Sequence, residues 1–264
     1  MTQTVSSLTL ICLTVSCLWG FAIPAYLYVN IKRKTNADTL PFFVGCAVMF
    51  LFAFVLESGV HTIVLGSGIG QKIQGSTLLY ALYGGLMAGL FEETGRFAAF
   101  KTVLSKKMDK DANALMYGGG HGGLEAMMIL GFSMLNNLVM AMMINNGRIS
   151  EMTASLSPAG AAEMNAAVAA LTQTPSYMFL IGILERVFAV VIQISLSVLV
   201  WFAVKNKNRR YLFPAAVAVH FAVDALTVLL SGRMPALALE AVVGLLAVAA
   251  ALFARKIWKE ETAA

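Results

Sequence analysis

Three stretches of this chain carry paired ionisable residues at helical spacing: Glu92 with Arg96 in FEETGRFAAF, His121 with Glu125 in YGGGHGGLEA, and His220 with Asp224 in AVHFAVDAL. A spacing of four puts both members of each pair on one helix face. These types suit hydrolysis of an amide, which needs a base to activate water, a donor for the developing oxyanion and a proton for the leaving nitrogen. Glu92 or its neighbour Glu93 is the expected base, with His121 sharing the water. His220, held in one tautomer by Asp224, is the expected oxyanion donor. Glu92 is preferred as the base because Arg96, four residues on, can steady its ionised form, which leaves Glu93 to orient a neighbouring helix. No Ser/His/Asp or Cys/His set with polar neighbours competes, and H-E-x-x-H is absent.

The elements that must position these groups are membrane helices. The 264 residues are 59% apolar and 12% charged, the profile of a polytopic membrane protein rather than a soluble enzyme. Runs near Leu8–Tyr28, Leu40–Leu65, Thr77–Phe100, Ala112–Ile144, Tyr177–Val204, Leu212–Leu230 and Ala236–Phe253 meet the length of a span. The expected fold is therefore an all-α bundle of about seven transmembrane helices, a single domain over residues 1–264, since no linker or internal repeat divides the chain. No basic residue precedes the first apolar run, so it reads as an uncleaved span and not as a signal peptide.

Basic residues fall unevenly among the connections. Alternate loops carry Lys32, Arg33 and Lys34, then Lys101, Lys106, Lys107 and Lys110, then Lys205, Lys207, Arg209 and Arg210, then Arg255, Lys256 and Lys259; the opposite loops carry Lys72, Arg148 and Arg233. Fourteen against three predicts a multi-pass protein of the cytoplasmic membrane, N-terminus outside and C-terminus cytoplasmic. The net charge of +5 follows topology and forms no nucleic-acid patch. Counted from the cytoplasmic helix ends at about 1.5 Å per residue, Glu92, His121 and His220 lie at similar depth. Unpaired, the charges of Glu92, Glu93 and Arg96 at the bilayer centre would cost on the order of 8 to 10 kcal/mol, so the three faces are expected to turn towards one polar cavity.

Five glycines surround His121, and Gly118 with Gly122, Gly119 with Gly123, and Gly85 with Gly89 fit the G-x-x-x-G spacing of close helix packing. Glu57 and His61 form a further pair at i and i+4, read as structural or as an accessory polar wall. Glu185 and Arg186, adjacent and pointing about 100° apart, read as a helix-bridging salt bridge or as part of what closes the same cavity, and Cys12, Cys17 and Cys46 as packing residues. The connection from Asn145 to Ser176 is expected to hold a short Ala-rich helix between Pro158 and Pro175.

At Glu92-Glu93-Thr94-Gly95-Arg96, at Tyr117 to His121 and at His220 to Asp224, the chain resembles the CAAX-protease and bacteriocin-processing (CPBP, or Abi) superfamily of intramembrane proteases, whose pattern is E-E-x-x-x-R, F-x-x-x-H and H-x-x-x-N/D. It is more closely similar to the YhfC-type family, in its E-E-T-G-R and G-H-G-G-x-E-A segments. Arg96 is one residue nearer the glutamates than in the wider superfamily, and Tyr117 stands where Phe is usual. The resemblance implies a glutamate-type intramembrane endopeptidase acting on a membrane-embedded or lipid-anchored peptide or protein, with Glu92, Glu93, Arg96, His121, Glu125, His220 and Asp224 at its site. No cofactor is expected. Zinc is possible, with His121, His220 and Glu92 as its ligands. The alternative is a proton-coupled or metal-ion transporter, which the lack of two related halves disfavours.

Overall fold

The computed structural model describes residues 4–263, and among them there are α-helices, two π-helical stretches within them (Phe50–Glu57 and Met127–Phe132) and 3₁₀ turns, but no strand. The helices are α1 (Ser7–Lys34), α2 (Leu40–Leu65), α3 (Gly68–Gln74), α4 (Thr77–Lys101), α5 (Ala112–Asn145), α6 (Arg148–Ala154), α7 (Pro158–Gln173), α8 (Met178–Lys205), α9 (Leu212–Leu230) and α10 (Ala236–Thr262). Local chemistry sets several of the starts. The hydroxyl of Ser76 accepts the backbone N–H of Leu79 ahead of α4, and Ser157 accepts that of Gly160 ahead of α7, where Pro158 opens the helix. That α7 is the Ala-rich helix expected after Pro158.

Among the described residues, six helices are long and apolar enough to cross a bilayer: α1, α2, α5, α8, α10 and the segment Lys207–Leu230 that contains α9. The seventh expected span, α4, has 25 residues, but Glu92, Glu93, Arg96 and its glycines dilute its hydropathy. The chain is a polytopic all-α bundle, and α4 is the helix that gives up apolarity for charge.

The residues group into two compact units, to which α1, α5 and α8 each contribute at both ends. The first comprises the chain up to Ile23 and Ala126–Arg186. Its core is Val5, Leu13, Ala141, Ile144, Val168 and Leu171. Asn145 clasps the backbone of Val5 through both ends of its amide, at 2.8 and 3.1 Å, and the hydroxyl of Ser16 donates to the carbonyl of Phe179 at 2.8 Å. Cys12 and Cys17 are buried and free, as packing residues should be.

The second unit, Pro24–Glu125 with Val187–Ala264, holds every residue of the three motifs. Its construction around His121 explains the glycines. A Cβ on Gly118 would sit 2.7 Å from the Cα of Ile194 in α8, and one on Gly122 would press on Val190 and Gln193. Gly119 and Gly123 face Ile31, Leu27 and Pro24 of α1, while Gly120 lies on the carbonyl of Phe42 in α2. Three helices thus crowd onto α5 from three directions, and His121 occupies the direction left for α4. On α4 itself, a Cβ on Gly85 would stand 2.7 Å from the carbonyl of Phe221, and Gly89 meets Val217 and Phe221, so α9 lies directly against it. Close approach of small residues is what lets polar side chains on separate helices meet inside a bilayer.

The basic connections of this unit share one end. Asp38, between α1 and α2, pairs with Lys110 at 2.6 Å and Lys107 at 3.1 Å. Asp111 takes Lys205 at 2.6 Å and the indole N–H of Trp201 at 2.9 Å, and Arg209 bridges Glu260 and Glu261. Hydrogen bonding from Lys110 and then Lys107 holds the Asp38 carboxyl below its ordinary 3.8, at about 2. A carboxyl lowered on folding contributes stability that is present above the unfolded value, near pH 4, and lost as pH falls towards 2. Asp38→Asn is therefore expected to melt a few degrees below wild type at neutral pH in detergent. The difference should vanish near pH 2, and it stays small because the pair is partly exposed and screened.

Candidate active site

Three helices bring their motif residues to one place. Glu92, Glu93 and Arg96 of α4, His121 and Glu125 of α5 and His220 of α9 are all buried, each exposing 9% or less, so water does not offset their polarity. Nε2 of His121 donates to Oε2 of Glu92 at 2.9 Å. Nδ1 of His220 meets Oε1 of Glu93 at 2.8 Å, and Arg96 grips both oxygens of Glu93 at 2.6 and 2.7 Å. On its other side, Nε2 of His220 faces Oε1 of Glu92 at 3.9 Å and Oδ2 of Asp224 at 3.6 Å. Asp224 is the more open member, with a side chain 39% exposed.

The pairing differs from the spacing rule in three places. Arg96 binds Glu93, three residues back, and not Glu92, four back. His121 binds Glu92 across helices and not Glu125 on its own helix. His220 is oriented chiefly by Glu93, while Asp224 stands at ion-pair distance. For the two histidines the reason is that spacing lists which partners share a face, whereas the close packing of α4 against α5 and α9 supplies better-aligned partners from a neighbouring helix; Arg96 stays on its own helix and takes the i,i+3 partner in place of the i,i+4 one. Gly95 contributes, since the ring of Phe52 from α2 lies flat where its Cβ would be.

Gln193 of α8 is the residue that sequence reasoning missed. Its amide nitrogen donates to Oε2 of Glu92 and to Oε2 of Glu125, both at 2.9 Å, and its carbonyl accepts from Arg96. One amide therefore satisfies two carboxylates and a guanidinium. The available signal was that Gln193 is the single amide side chain in α8. Glu57 was also underplaced. It is 7% exposed at the end of a π-helical turn, Phe50–Glu57, and lies within Coulombic range of Glu92, His220 and Asp224. π-turns commonly redirect side chains at functional sites. From Glu57 a chain runs outward, to Nε2 of His61 at 3.2 Å and from Nδ1 of His61 to the hydroxyl of Tyr83 at 2.9 Å. Glu185 and Arg186 pair with each other at 2.6 Å, in the first unit.

Tyr117 braces His121, with ring centroids 5.8 Å apart and planes inclined by 29°, and packs edge-on against Phe100. Around that contact Nδ1 of His121, the hydroxyl of Tyr117 and Nε of Arg96 are buried without a well-aligned hydrogen bond. Polar atoms left in this state cluster where water or a reacting carbonyl is accommodated.

Residues 20–247 match the family model described as "YhfC intramembrane metalloprotease". The chain belongs to the YhfC family. A YhfC relative from Bacillus subtilis (strain 168), described as "Uncharacterized membrane protein YhfC", is 36% identical over 213 residues, covering 79% of this chain and 80% of that one. No solved structure matches. The family description names metalloprotease chemistry, so the donor set can be tested against a metal. Among the described residues, no group of three or more His, Cys, Asp and Glu side chains stands in metal-binding geometry. The donor types nevertheless fit zinc, and His220 meets a further requirement. With Nδ1 anchored by Glu93, its Nε2 is left to face carboxylate oxygens of Glu92 and Asp224, as a supported imidazole ligand does.

Proposed function

We propose that this YhfC-family protein is an intramembrane endopeptidase in which Glu92 activates water for attack on a peptide bond of a membrane-associated substrate. The observation that carries the proposal is the division of labour between the adjacent glutamates. Glu93 is fully committed, to Arg96 and to His220. Glu92 is held through one oxygen only, by His121 and Gln193, and its Oε1 faces Nε2 of His220 across 3.9 Å. A carboxylate fixed at one oxygen and open at the other is what a general base needs. The proton it takes has a route to the leaving nitrogen through the same carboxyl. His220, ringed by the carboxylates of Glu92, Glu93 and Asp224, acts as an imidazolium that donates from Nδ1 to Glu93 and presents its Nε2–H on the same side to the reacting carbonyl, and Arg96 supports the set as the buried countercharge. Glu125, tied to Gln193, and Asp224, beside His220, act as positioning groups.

If zinc is resident, His121, His220 and Glu92 would hold it, and the chemistry it supplies when bound is polarisation of a carbonyl and acidification of water. The motifs and their order support placing the family within the CPBP superfamily, and a substrate that is membrane-embedded or lipid-anchored suits a site buried among helices. The test is incubation of purified protein with membrane peptides, followed by mass spectrometry of new termini, with metal content measured on the same sample. New termini that depend on Glu92 support the reading. A set of termini identical in the wild type and Glu92→Gln would refute it.

The sharing of one end by the basic loops supports an N-out, C-in orientation in the cytoplasmic membrane. In a background lacking Cys12, Cys17 and Cys46, a cysteine introduced at Ser155 is expected to react with an impermeant thiol reagent applied outside intact cells, and one at Lys107 is expected to stay unlabelled. The opposite pattern would turn the protein over and put the basic loops outside.

A further inference from the structure

We propose that the C-terminal part of α10 forms a binding site for one anionic phospholipid, with its phosphate on Arg255, Lys256 and Lys259 and an acyl chain in the groove between α5, α8 and α10. Two concavities meet there. One, of about 350 Å³, is walled by Leu115 of α5, by Val191, Ile194 and Val198 of α8, and by Ala251 and Trp258 of α10, with Arg255 at its edge. The other, of about 360 Å³, is lined by Leu252, Arg255, Lys256, Lys259 and Glu260, all of α10. Arg255 lines both, so the apolar slot and the basic recess lie on either side of one side chain.

The recess carries positive charge that the protein does not neutralise. Its one acidic lining residue, Glu260, is taken by Arg209 at 2.7 Å. Among the described residues, Arg255, Lys256 and Lys259 make no ion pair. Basic residues at a helix C-terminus also offset the helix dipole, which accounts for the charges but not for the slot beside them. Trp258, one wall of the slot, packs on Phe202 at 5.9 Å, in the manner of an aromatic anchor at headgroup level. An amphiphile with an anionic head and an apolar tail complements both halves. The slot is too apolar to hold a free phosphate, and the recess too basic for a neutral lipid.

Native mass spectrometry of the detergent-solubilised protein, titrated with dioleoyl phosphatidylglycerol or dioleoyl phosphatidylcholine, tests this. Each cation near an anionic headgroup is worth roughly fivefold. The wild type is expected to retain the glycerol lipid at least about tenfold better than the choline lipid, and Arg255→Gln/Lys256→Gln/Lys259→Gln to bring the two near parity. The same number of charges removed elsewhere, in Lys106→Gln/Lys207→Gln/Arg210→Gln, should leave the preference in place. Ala251→Phe, which fills the slot, should weaken retention of the dioleoyl lipid while sparing a dihexanoyl one, and inorganic phosphate should not displace either. If the triple variant at the recess does not fold, Arg255→Gln alone carries the comparison. Equal retention of the two lipids by the wild type overturns the proposal. So does an equal loss in the control triple, an Ala251→Phe variant that binds normally, or displacement by phosphate.

Discussion

Glu92→Gln is expected to lower turnover by about 10² to 10⁴ while leaving the melting temperature in detergent close to wild type. The substitution keeps the shape of the side chain. A glutamine oxygen can accept from Nε2 of His121 and from Gln193, as Oε2 of Glu92 does at 2.9 Å to each, which turns the new amide nitrogen towards Nε2 of His220. What disappears is the base. Glu93→Gln behaves differently, because Glu93 is 0% exposed and neutralises Arg96, also 0% exposed, so the loss of its charge strands a buried guanidinium. That variant should lose both activity and melting temperature. The two neighbours are therefore separable by one paired experiment, turnover of a peptide found in the membrane screen against thermal melting. Near-normal turnover in Glu92→Gln would remove it as the base. Parallel loss of melting temperature in both variants would assign both glutamates to the scaffold.

The largest expected loss of stability is at Arg96. Arg96→Met keeps the volume and removes the charge, leaving the Glu93 carboxylate buried with His220 as its remaining partner. Breaking a buried pair on one side typically costs about 3 to 5 kcal/mol, and the bond from His220 puts the expectation near the lower figure. Arg96→Lys should recover only part of it, since one ammonium cannot reproduce the two contacts to Glu93 and the one to Gln193. In Arg96→Met/Glu93→Leu both charges are gone, and stability should return towards wild type while activity stays lost, because His220 no longer has its orienting carboxylate. Thermal melts of the wild type, Arg96→Met, Glu93→Leu and the double variant form the cycle. Additive losses in the double variant would mean that the two residues do not act as a pair.

The sequence by itself determined the class of the fold and which ionisable residues of the three motifs would gather in one place. Apolar run lengths were enough for helices, since a membrane span leaves no other way to satisfy the backbone. The cost of charge in a bilayer was enough to turn Glu92, His121 and His220 towards one another, and the residues do meet. The glycines around His121 announced close packing, and α1, α2 and α8 press onto α5 at those glycines. The partners were decided elsewhere. Spacing at i and i+4 nominates neighbours on one helix, but hydrogen bonds go to whichever group is best aligned, and that depends on how deeply helices sink into each other. So His121 went to Glu92, His220 to Glu93, and Gln193, one polar residue in an apolar helix, became the link between two carboxylates and the arginine. Glu57 entered electrostatic range of the site at the end of a π-turn, which is not visible in a count of residues from a helix end.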